Sequence, residues 1–173
     1  MLSIVPNEYL FVAKYRPQKL EECILPEADR KLFEGIVKSG KVPNMILQSN
    51  MPGTGKTTIA HVLCNELDVE RLFVNGADCT IDFVRNDLTR FAMSKSIEGK
   101  QKVVIIDEFD RKGLTAAQEH LRVFIENVSS NCAFVITANN LDGIIKPLQS
   151  RCPVTKFGNP NQSDKNAMMM AMC

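Results

Sequence analysis

The sequence lacks several features that would place a protein in a specialised class. Its 173 residues carry 21 Lys and Arg against 20 Asp and Glu, so the net charge of +1 excludes a generally basic nucleic-acid coat protein. No apolar run approaches the length of a membrane span, which argues against a membrane partner. The six cysteines show no CxxC spacing and the two histidines form no paired motif, which argues against zinc. Any nucleic-acid contact must therefore come from a local patch or from an assembly.

A secretory signal is also missing from the start of the sequence. Met1-Leu2-Ser3-Ile4 is followed by Pro6, Asn7 and Glu8, which interrupt any apolar stretch. Since secretion would be needed for oxidation, we expect the cysteines to be reduced thiols in a cytosol. The length predicts one compact domain that buries a substantial core.

Strand and helix signals alternate along the chain. Apolar runs predict five strands, at 45–48, 72–75, 102–106, 132–137 and 154–157. Helical periodicity predicts helices at 28–38, 57–67, 81–96, 115–128 and 144–149. The run Val103-Val104-Ile105-Ile106 is apolar without alternation, as expected of a strand that is buried on both faces. We therefore expect an α/β fold, with a five-stranded parallel sheet sandwiched by helices.

A glycine-rich segment, Gly53-Thr54-Gly55-Lys56-Thr57-Thr58, separates the first strand from the helix that follows it. This is the order of a P-loop, in which glycines allow backbone N–H groups to turn toward a polyphosphate. Lys56 would place a positive charge at the β/γ end, and Thr57 would offer a hydroxyl to Mg²⁺. The glycine of the P-loop pattern is replaced at position 50 by Asn50, which tolerates a left-handed backbone better than most residues. A glycine-rich loop that binds nothing is the alternative.

Two adjacent acids, Asp107 and Glu108, follow the buried strand predicted at 102–106. In a parallel sheet this places both carboxylates at the carboxyl edge, beside the P-loop, where α/β proteins bind ligands. Asp107 can hold Mg²⁺ through water, and Glu108 can orient or activate an attacking water. The alternative is a pair of solvated acids after a strand.

Two further positions have both a functional and an ordinary interpretation. Asn139 follows another buried strand, so its amide could reach a terminal phosphate and the lytic water. It could equally belong to a turn built with Asn140. Arg151, in Ser150-Arg151-Cys152, suits bidentate contact with phosphate oxygens, but a surface salt bridge is as natural on spacing alone.

These motifs occur together in the order found in one protein family. Lys14-Tyr15-Arg16-Pro17 precedes the P-loop, and Pro147-Leu148-Gln149-Ser150-Arg151-Cys152 ends the series. From residue 12 to 172 the chain resembles the ATPase subunits of sliding-clamp loaders, which are AAA+ proteins, and most of all those of the T4-type phages. The resemblance implies an AAA+ P-loop fold and hydrolysis of ATP with Mg²⁺.

The resemblance further implies that the protein works in an assembly. Several copies and one distinct subunit would form an open ring that spirals around primer-template DNA and loads the sliding clamp. For a phage-encoded protein, the location would be the host cytoplasm.

The resemblance also implies roles for individual residues. Asp107 and Glu108 would be the Walker B acids, Asn139 the sensor within the same subunit, and Arg151 the arginine finger in the neighbour's site. The nucleotide-binding residues would be Val12, Ala13, Lys14, Tyr15 and Ile24 around the adenine, with Arg16 beside them, and Gly53, Thr54, Gly55, Lys56, Thr57 and Thr58 at the phosphates and Mg²⁺. Residues facing DNA would be Thr80, Ile81, Asp82 and Arg85, and residues coupling subunits would be Gln118, Arg122 and Arg151.

Two of these positions raise a question of their own. Thr80 stands where related subunits often have a basic residue that contacts DNA and restrains the Walker B glutamate, and its side chain is neutral. Gln118 matches a coupling position, but Thr115-x-x-Gln118 is also the pattern of a local capping box. On the sequence both interpretations of Gln118 stay open.

Two domains are expected, residues 1–160 as the nucleotide-binding domain and 161–173 as the first helix of a truncated lid domain. The lid's sensor arginine and the family's collar domain would then lie beyond this chain, which would be a piece of a longer protein. The preferred function is a DNA-stimulated ATPase of a clamp loader. The alternatives are another AAA+ ATPase, such as a helicase loader or remodeller, and an AAA+ scaffold that does not hydrolyse nucleotide.

Overall fold

A five-stranded parallel sheet forms the centre of the molecule. The structure is a computed structural model, and it describes residues 16–51, 53–96, 98–128 and 130–156. The strands are β1 (Met45–Gln48), β2 (Glu70–Asn75), β3 (Lys102–Asp107), β4 (Cys132–Ala138) and β5 (Val154–Lys156). They lie in the order β2-β3-β4-β1-β5, and every neighbouring pair is parallel. The predicted α/β sheet is confirmed.

Five helices accompany the strands, one before β1 and four between successive strands. They are α1 (Glu27–Ser39), α2 (Lys56–Glu66), α3 (residues 81–93), α4 (Thr115–Val128) and α5 (Lys146–Gln149). Helix α3 is α-helical at Ile81–Phe83, has a π-helical segment at Val84–Leu88, and is α-helical again at Thr89–Met93. Short 3₁₀ turns lie at Leu20–Glu22, Gly76–Asp78 and Leu141–Gly143.

The sheet separates two apolar cores, and strand β3 contributes to both. Val104 and Ile106 pack into the core formed with α3, α4 and α5, whereas Val103 and Ile105 pack into the core formed with α1 and α2. All four side chains are fully buried. Full burial of such a side chain stabilises the fold by about 1.5–3 kcal/mol relative to exposure. The two cores explain why the apolar run of β3 shows no alternation.

The helix predicted at 81–96 is three residues shorter in the structure. It ends at Met93 because Ser94 adopts extended backbone angles, φ −67° and ψ 147°. The buried Lys102 ammonium donates hydrogen bonds to the Phe91 carbonyl oxygen at 2.9 Å and to Ser94 Oγ at 2.5 Å. A cation that binds carbonyls of the last turn favours a helix end at this place. Phe157 and the helix expected at 161–173 lie outside the described residues.

The five cysteines in the described ranges are free thiols, and all are buried. Burial raises the pKa of Cys79, Cys132 and Cys152 to about 12, so these sulfurs are protonated at neutral pH. They are therefore core residues and poor nucleophiles. Within the same ranges, no helix has the length and hydropathy needed to cross a membrane.

Candidate functional site

The parallel sheet brings the predicted site residues to one edge. Strand register pairs Leu47 with Thr137 and Asn75 with Asp107, so β1, β2, β3 and β4 all end at the same level. The glycine-rich loop leaves β1 at this edge and enters α2. As the parallel arrangement predicts, the loop and the acids after β3 lie next to each other.

The backbone of the loop turns at its glycines. Gly53 has φ 73° and Gly55 has φ 89°, and α2 begins at the next residue. Among the described non-glycine residues, positive φ occurs only at Asp68 and Glu108, so the turn forms without the left-handed backbone that Asn50 could have tolerated. Instead, Asn50 Oδ1 accepts a hydrogen bond from Gln48 Nε2 at 2.5 Å. Asn50 therefore takes part in the loop through its side chain.

Lys56 is the buried cation of the site, with 8% of its surface exposed. Its ammonium donates to the Met51 carbonyl oxygen at 3.2 Å and contacts Thr54 Oγ1 at 3.4 Å. Burial lowers the pKa of Lys56, while Asp107, Asp110 and Glu108 act in the opposite direction. A polyphosphate in the loop would give this desolvated cation the anionic partner that its two neutral contacts do not provide.

The P-loop helix and the acidic strand meet at Asp107. Its Oδ1 accepts a hydrogen bond from Thr57 Oγ1 at 2.6 Å and another from Thr137 Oγ1 at 2.7 Å. A hydroxyl beside a carboxylate supplies the oxygen ligands that Mg²⁺ takes in nucleotide sites. The residues expected to bind the metal therefore lie together and have suitable chemistry. Thr137 was missed by the sequence reasoning, although the register of the parallel strands could have indicated it.

The main chain of Glu108 is held on several sides. Its φ is 53°, and its N–H donates to Thr137 Oγ1 at 2.9 Å. Gly76 packs so closely that a Cβ there would lie 2.4 Å from the Glu108 carbonyl oxygen. The carboxylate forms an ion pair with Arg111, whose Nε lies 3.1 Å from Oε2. That hydrogen bond raises the pKa of Arg111.

Asp110 joins the turn after β3 to the turn after β4. Its Oδ2 accepts the N–H groups of Asn139 at 3.1 Å and Asn140 at 2.8 Å. The Asn140 side chain accepts the Asp142 N–H at 2.9 Å and so builds the turn that the sequence suggested. The half-buried Asn139 side chain takes no part in that turn and forms no hydrogen bond with another described residue. The side-chain amide of Asn139 therefore keeps hydrogen-bonding groups that no described residue occupies.

The buried side chain of Gln118 forms hydrogen bonds to two loops, the one after β3 and the one after β4. Its Nε2 donates to the carbonyl oxygens of Phe109 at 2.9 Å and Gly143 at 2.8 Å, and its Oε1 accepts the Ile145 N–H at 2.9 Å. These bonds occupy the side chain, so the capping-box interpretation is wrong. Since only 1% of Gln118 is exposed, any effect on a neighbouring subunit must pass through the loops that it joins.

Arg151 and Arg122 lie on the surface, with partners from α4. Arg151 Nε contacts Glu126 Oε1 at 2.6 Å, and its Nη1 donates to the Pro147 carbonyl oxygen at 2.8 Å. Arg122 Nε lies 3.1 Å from Glu119 Oε2. The salt bridge suggested as the ordinary interpretation of Arg151 is therefore present in the single chain. The side chain of Arg151 is 26% exposed and that of Glu126 is 53% exposed, so solvent screens the pair in part and another anion can take the place of Glu126.

The residues expected to face DNA cluster at the start of α3. Thr80 Oγ1 accepts the Phe83 N–H at 3.2 Å and caps this helix. Thr80, Asp82 and Arg85 are exposed, and Ile81 is half-buried against the core. Arg85 Nη2 lies 2.7 Å from His120 Nε2 on α4. The segment presents one cation to solvent.

Of the residues expected around the adenine, Arg16 and Ile24 fall within the described ranges, and both are half-buried. Arg16 lies near His61 of α2. Burial, followed by the charges of Arg16 and Arg71, lowers the pKa of His61 to about 4. Val12, Ala13, Lys14 and Tyr15 lie outside the described residues.

Comparisons with known proteins agree with this geometry. The chain is 56% identical to the sliding-clamp-loader large subunit of Escherichia phage RB69 and 54% identical to that of Enterobacteria phage T4. Each match covers 99% of this chain and 54% of the phage protein, so the chain spans about half the length of these relatives. Replication factor C subunit 4 of Saccharomyces cerevisiae is 38% identical over 89% of this chain and 50% of its own length.

The fold itself also has relatives among solved structures. The RuvB Holliday junction branch migration motor of Thermotoga maritima superposes with a TM-score of 0.72 at 23% identity, over 91% of this chain and 53% of that one. The family described as "ATPase family associated with various cellular activities (AAA)" matches residues 46–158. Because that match covers well over half of the chain, the protein belongs to the AAA family, whose members bind nucleotide.

Proposed function

We propose that this chain is the nucleotide-hydrolysing module of a sliding-clamp loader. It would use ATP and Mg²⁺ to open the clamp and load it on primer-template DNA during phage DNA replication. The observation that carries the proposal is the 2.6 Å contact between Thr57 Oγ1 and Asp107 Oδ1, which joins the P-loop helix to the acidic strand. The 54% and 56% identity to phage clamp-loader subunits supports the choice of a loader among AAA proteins.

Each residue of the site has a part in this reaction. Backbone N–H groups of residues 53–58 bind the phosphates, and the buried Lys56 neutralises charge at the β/γ end. Thr57 and Asp107 would hold Mg²⁺, which supplies electrostatic stabilisation of the transferring phosphoryl group. Glu108 activates the attacking water, and the amide of Asn139 orients that water against the γ-phosphate.

Neighbouring subunits and DNA would complete the site. Arg151 leaves Glu126 and reaches the nucleotide of the adjacent subunit, where a guanidinium stabilises charge in the transition state. Gln118 and Arg122 couple the subunits. Thr80, Ile81, Asp82 and Arg85 face the DNA phosphates. Val12 to Tyr15 and Ile24 surround the adenine, and Arg16 lies beside them.

The rest of the assembly follows from the same proposal. Residues 1–160 form the nucleotide-binding domain, and 161–173 begin a lid domain. Further copies of the protein, a distinct clamp-loader subunit, the sliding clamp and primer-template DNA are its partners. The place of action is the host cytoplasm.

The test is ATP hydrolysis by the natural protein that carries this chain, assembled with its partner subunit. Turnover should rise when the clamp and primed DNA are each added, and rise most with both. Glu108→Gln should abolish the rise, because its amide cannot accept the proton of the water. Turnover that ignores both clamp and primed DNA would contradict the clamp-loader assignment and leave the AAA alternatives.

A further inference from the structure

The three acids that follow β3 are held in different ways. The Asp107 carboxylate accepts two hydroxyls, from Thr57 and Thr137, and the Asp110 carboxylate accepts two backbone N–H groups. The Glu108 carboxylate is bound by one exposed side chain, the guanidinium of Arg111, and by nothing else in the described ranges. The group best placed to activate water is thus the one whose partner can leave.

Only the side chain of Glu108 is free to move. Its N–H is bonded to Thr137 Oγ1, its carbonyl oxygen lies against Gly76, and its backbone is in the left-handed region. A change in the position of the carboxylate must therefore come from rotation about the side-chain bonds. Arg111 fixes that rotation when the ion pair is formed.

The pair opposes the chemistry expected of Glu108. A guanidinium stabilises the ionised carboxylate and occupies the lone pairs of Oε2, so it competes with a water for this oxygen. Both partners are substantially exposed, Arg111 by 51% and Glu108 by 40% of their side-chain surface. Exposed ion pairs stabilise a protein less than a hydrogen bond to a buried charge does, so the pair of Arg111 and Glu108 can open at a small cost in free energy.

We propose that Arg111 is a positioning residue that restrains Glu108 in the resting subunit, and that Glu108 serves the water after this ion pair opens. The inference rests on the proposed function, because it concerns the regulation of the same site. It adds a residue of the chain's own turn to the control of hydrolysis.

The test compares Arg111→Ala with Lys112→Ala in the assembled natural protein. Lys112 is the adjacent exposed residue and carries the same charge. Arg111→Ala should raise kcat without clamp and DNA by roughly two- to fivefold, the size expected from an exposed ion pair, and leave the KM for ATP unchanged. The fully stimulated rate should stay at the wild-type level. Lys112→Ala should leave both rates unchanged.

Two further variants separate restraint from damage to the fold. Arg111→Gln removes the charge but keeps a shorter polar side chain, and it should give the same rise. Arg111→Lys keeps a cation, so its resting rate should stay close to the low rate of the wild type. An unchanged or lower resting kcat in both Arg111→Ala and Arg111→Gln would overturn the inference, as would an equal rise in Lys112→Ala.

Failure of the inference and failure of the proposed function give different results. If the wild-type assembly hydrolyses ATP and responds to clamp and DNA while the Arg111 variants match it, Arg111 has no restraining role and the function stands. If the wild-type assembly does not hydrolyse ATP, both proposals fall.

Discussion

Replacing Gln118 by methionine should destabilise the domain, because this side chain holds two loops together from inside the protein. Methionine has a similar length and no hydrogen-bonding amide. The substitution removes the partners of two carbonyl oxygens, on Phe109 and Gly143, and of the Ile145 N–H. Since Gln118 is 1% exposed, water cannot readily take the place of the amide.

The magnitude follows from these three bonds. Each hydrogen bond contributes roughly 0.5–1.5 kcal/mol net, and a buried group left without a partner costs somewhat more. The apolar contacts of methionine offset part of the loss. We therefore expect a fall of about 2–4 kcal/mol in the free energy of unfolding, which is a large share of the roughly 5–15 kcal/mol typical of a domain.

Urea unfolding of the chain measures this effect. The midpoint should fall with an unchanged m-value, which would indicate lost stability and not a changed unfolded state. Glu119→Ala is the matched control, because Glu119 is the next residue of α4 and is 50% exposed in its pair with Arg122. That change should stay within about 0.5 kcal/mol. If Gln118→Met also lowers the free energy of unfolding by less than about 0.5 kcal/mol, the reasoning that the three hydrogen bonds hold the loops is refuted.

Three other predictions concern the action of Arg151 on the neighbouring subunit, the binding of DNA, and the effect of pH on stability. Assemblies that mix Arg151→Ala with Glu108→Gln subunits should recover part of the ATP turnover that each variant lacks alone, because the Arg151→Ala subunit supplies an intact nucleotide site and the Glu108→Gln subunit supplies the arginine finger. If phosphate release stays flat at every mixing ratio, with subunit exchange confirmed, Arg151 does not act in the neighbour's site. Arg85→Ala should weaken binding to primed DNA equally for all sequences and reduce the salt slope by about one, as fluorescence anisotropy would show, whereas a sequence-dependent loss would indicate base contacts. The unfolded chain takes up a proton at His61 below pH 6.5 and the folded chain only near pH 4, so stability falls as the pH is lowered through this window. His61→Phe should remove about 1–3 kcal/mol of that fall in the free energy of unfolding, measured by urea titrations at several pH values. An unchanged dependence of this free energy on pH would contradict the prediction.

The sheet and the main elements of the site were predictable because their signals are local. The unbroken apolar run 103–106 predicted a strand buried on both faces, and the structure places its side chains in two cores. The P-loop pattern and the acids after that run predicted one edge of a parallel sheet. There Thr57 and Asp107 meet at 2.6 Å.

The partners of individual side chains were not predictable, because they come from elements far apart in the sequence. Gln118 fits a local capping pattern, yet its amide binds Gly143 and Ile145, which only the packing of α4 against the loop after β4 brings near. The turn was expected to survive with Asn50 because asparagine tolerates a left-handed backbone, whereas Gly53 and Gly55 carry the positive φ angles and Asn50 takes part through its side chain. The Arg111 pair is local, but spacing alone does not distinguish it from a solvated charge.

The most direct test of a nucleotide site at this sheet edge is the affinity of the chain for ATP with Mg²⁺, titrated for the wild type, Lys56→Ala and Glu108→Gln. The wild type should bind. Lys56→Ala should bind at least tenfold more weakly, since a hydrogen bond to a charged group is worth roughly 1.5–3 kcal/mol. Glu108→Gln should bind as the wild type does, because its carboxylate serves the water and not the nucleotide. No binding by the wild type, or an equal loss in both variants, would contradict the account.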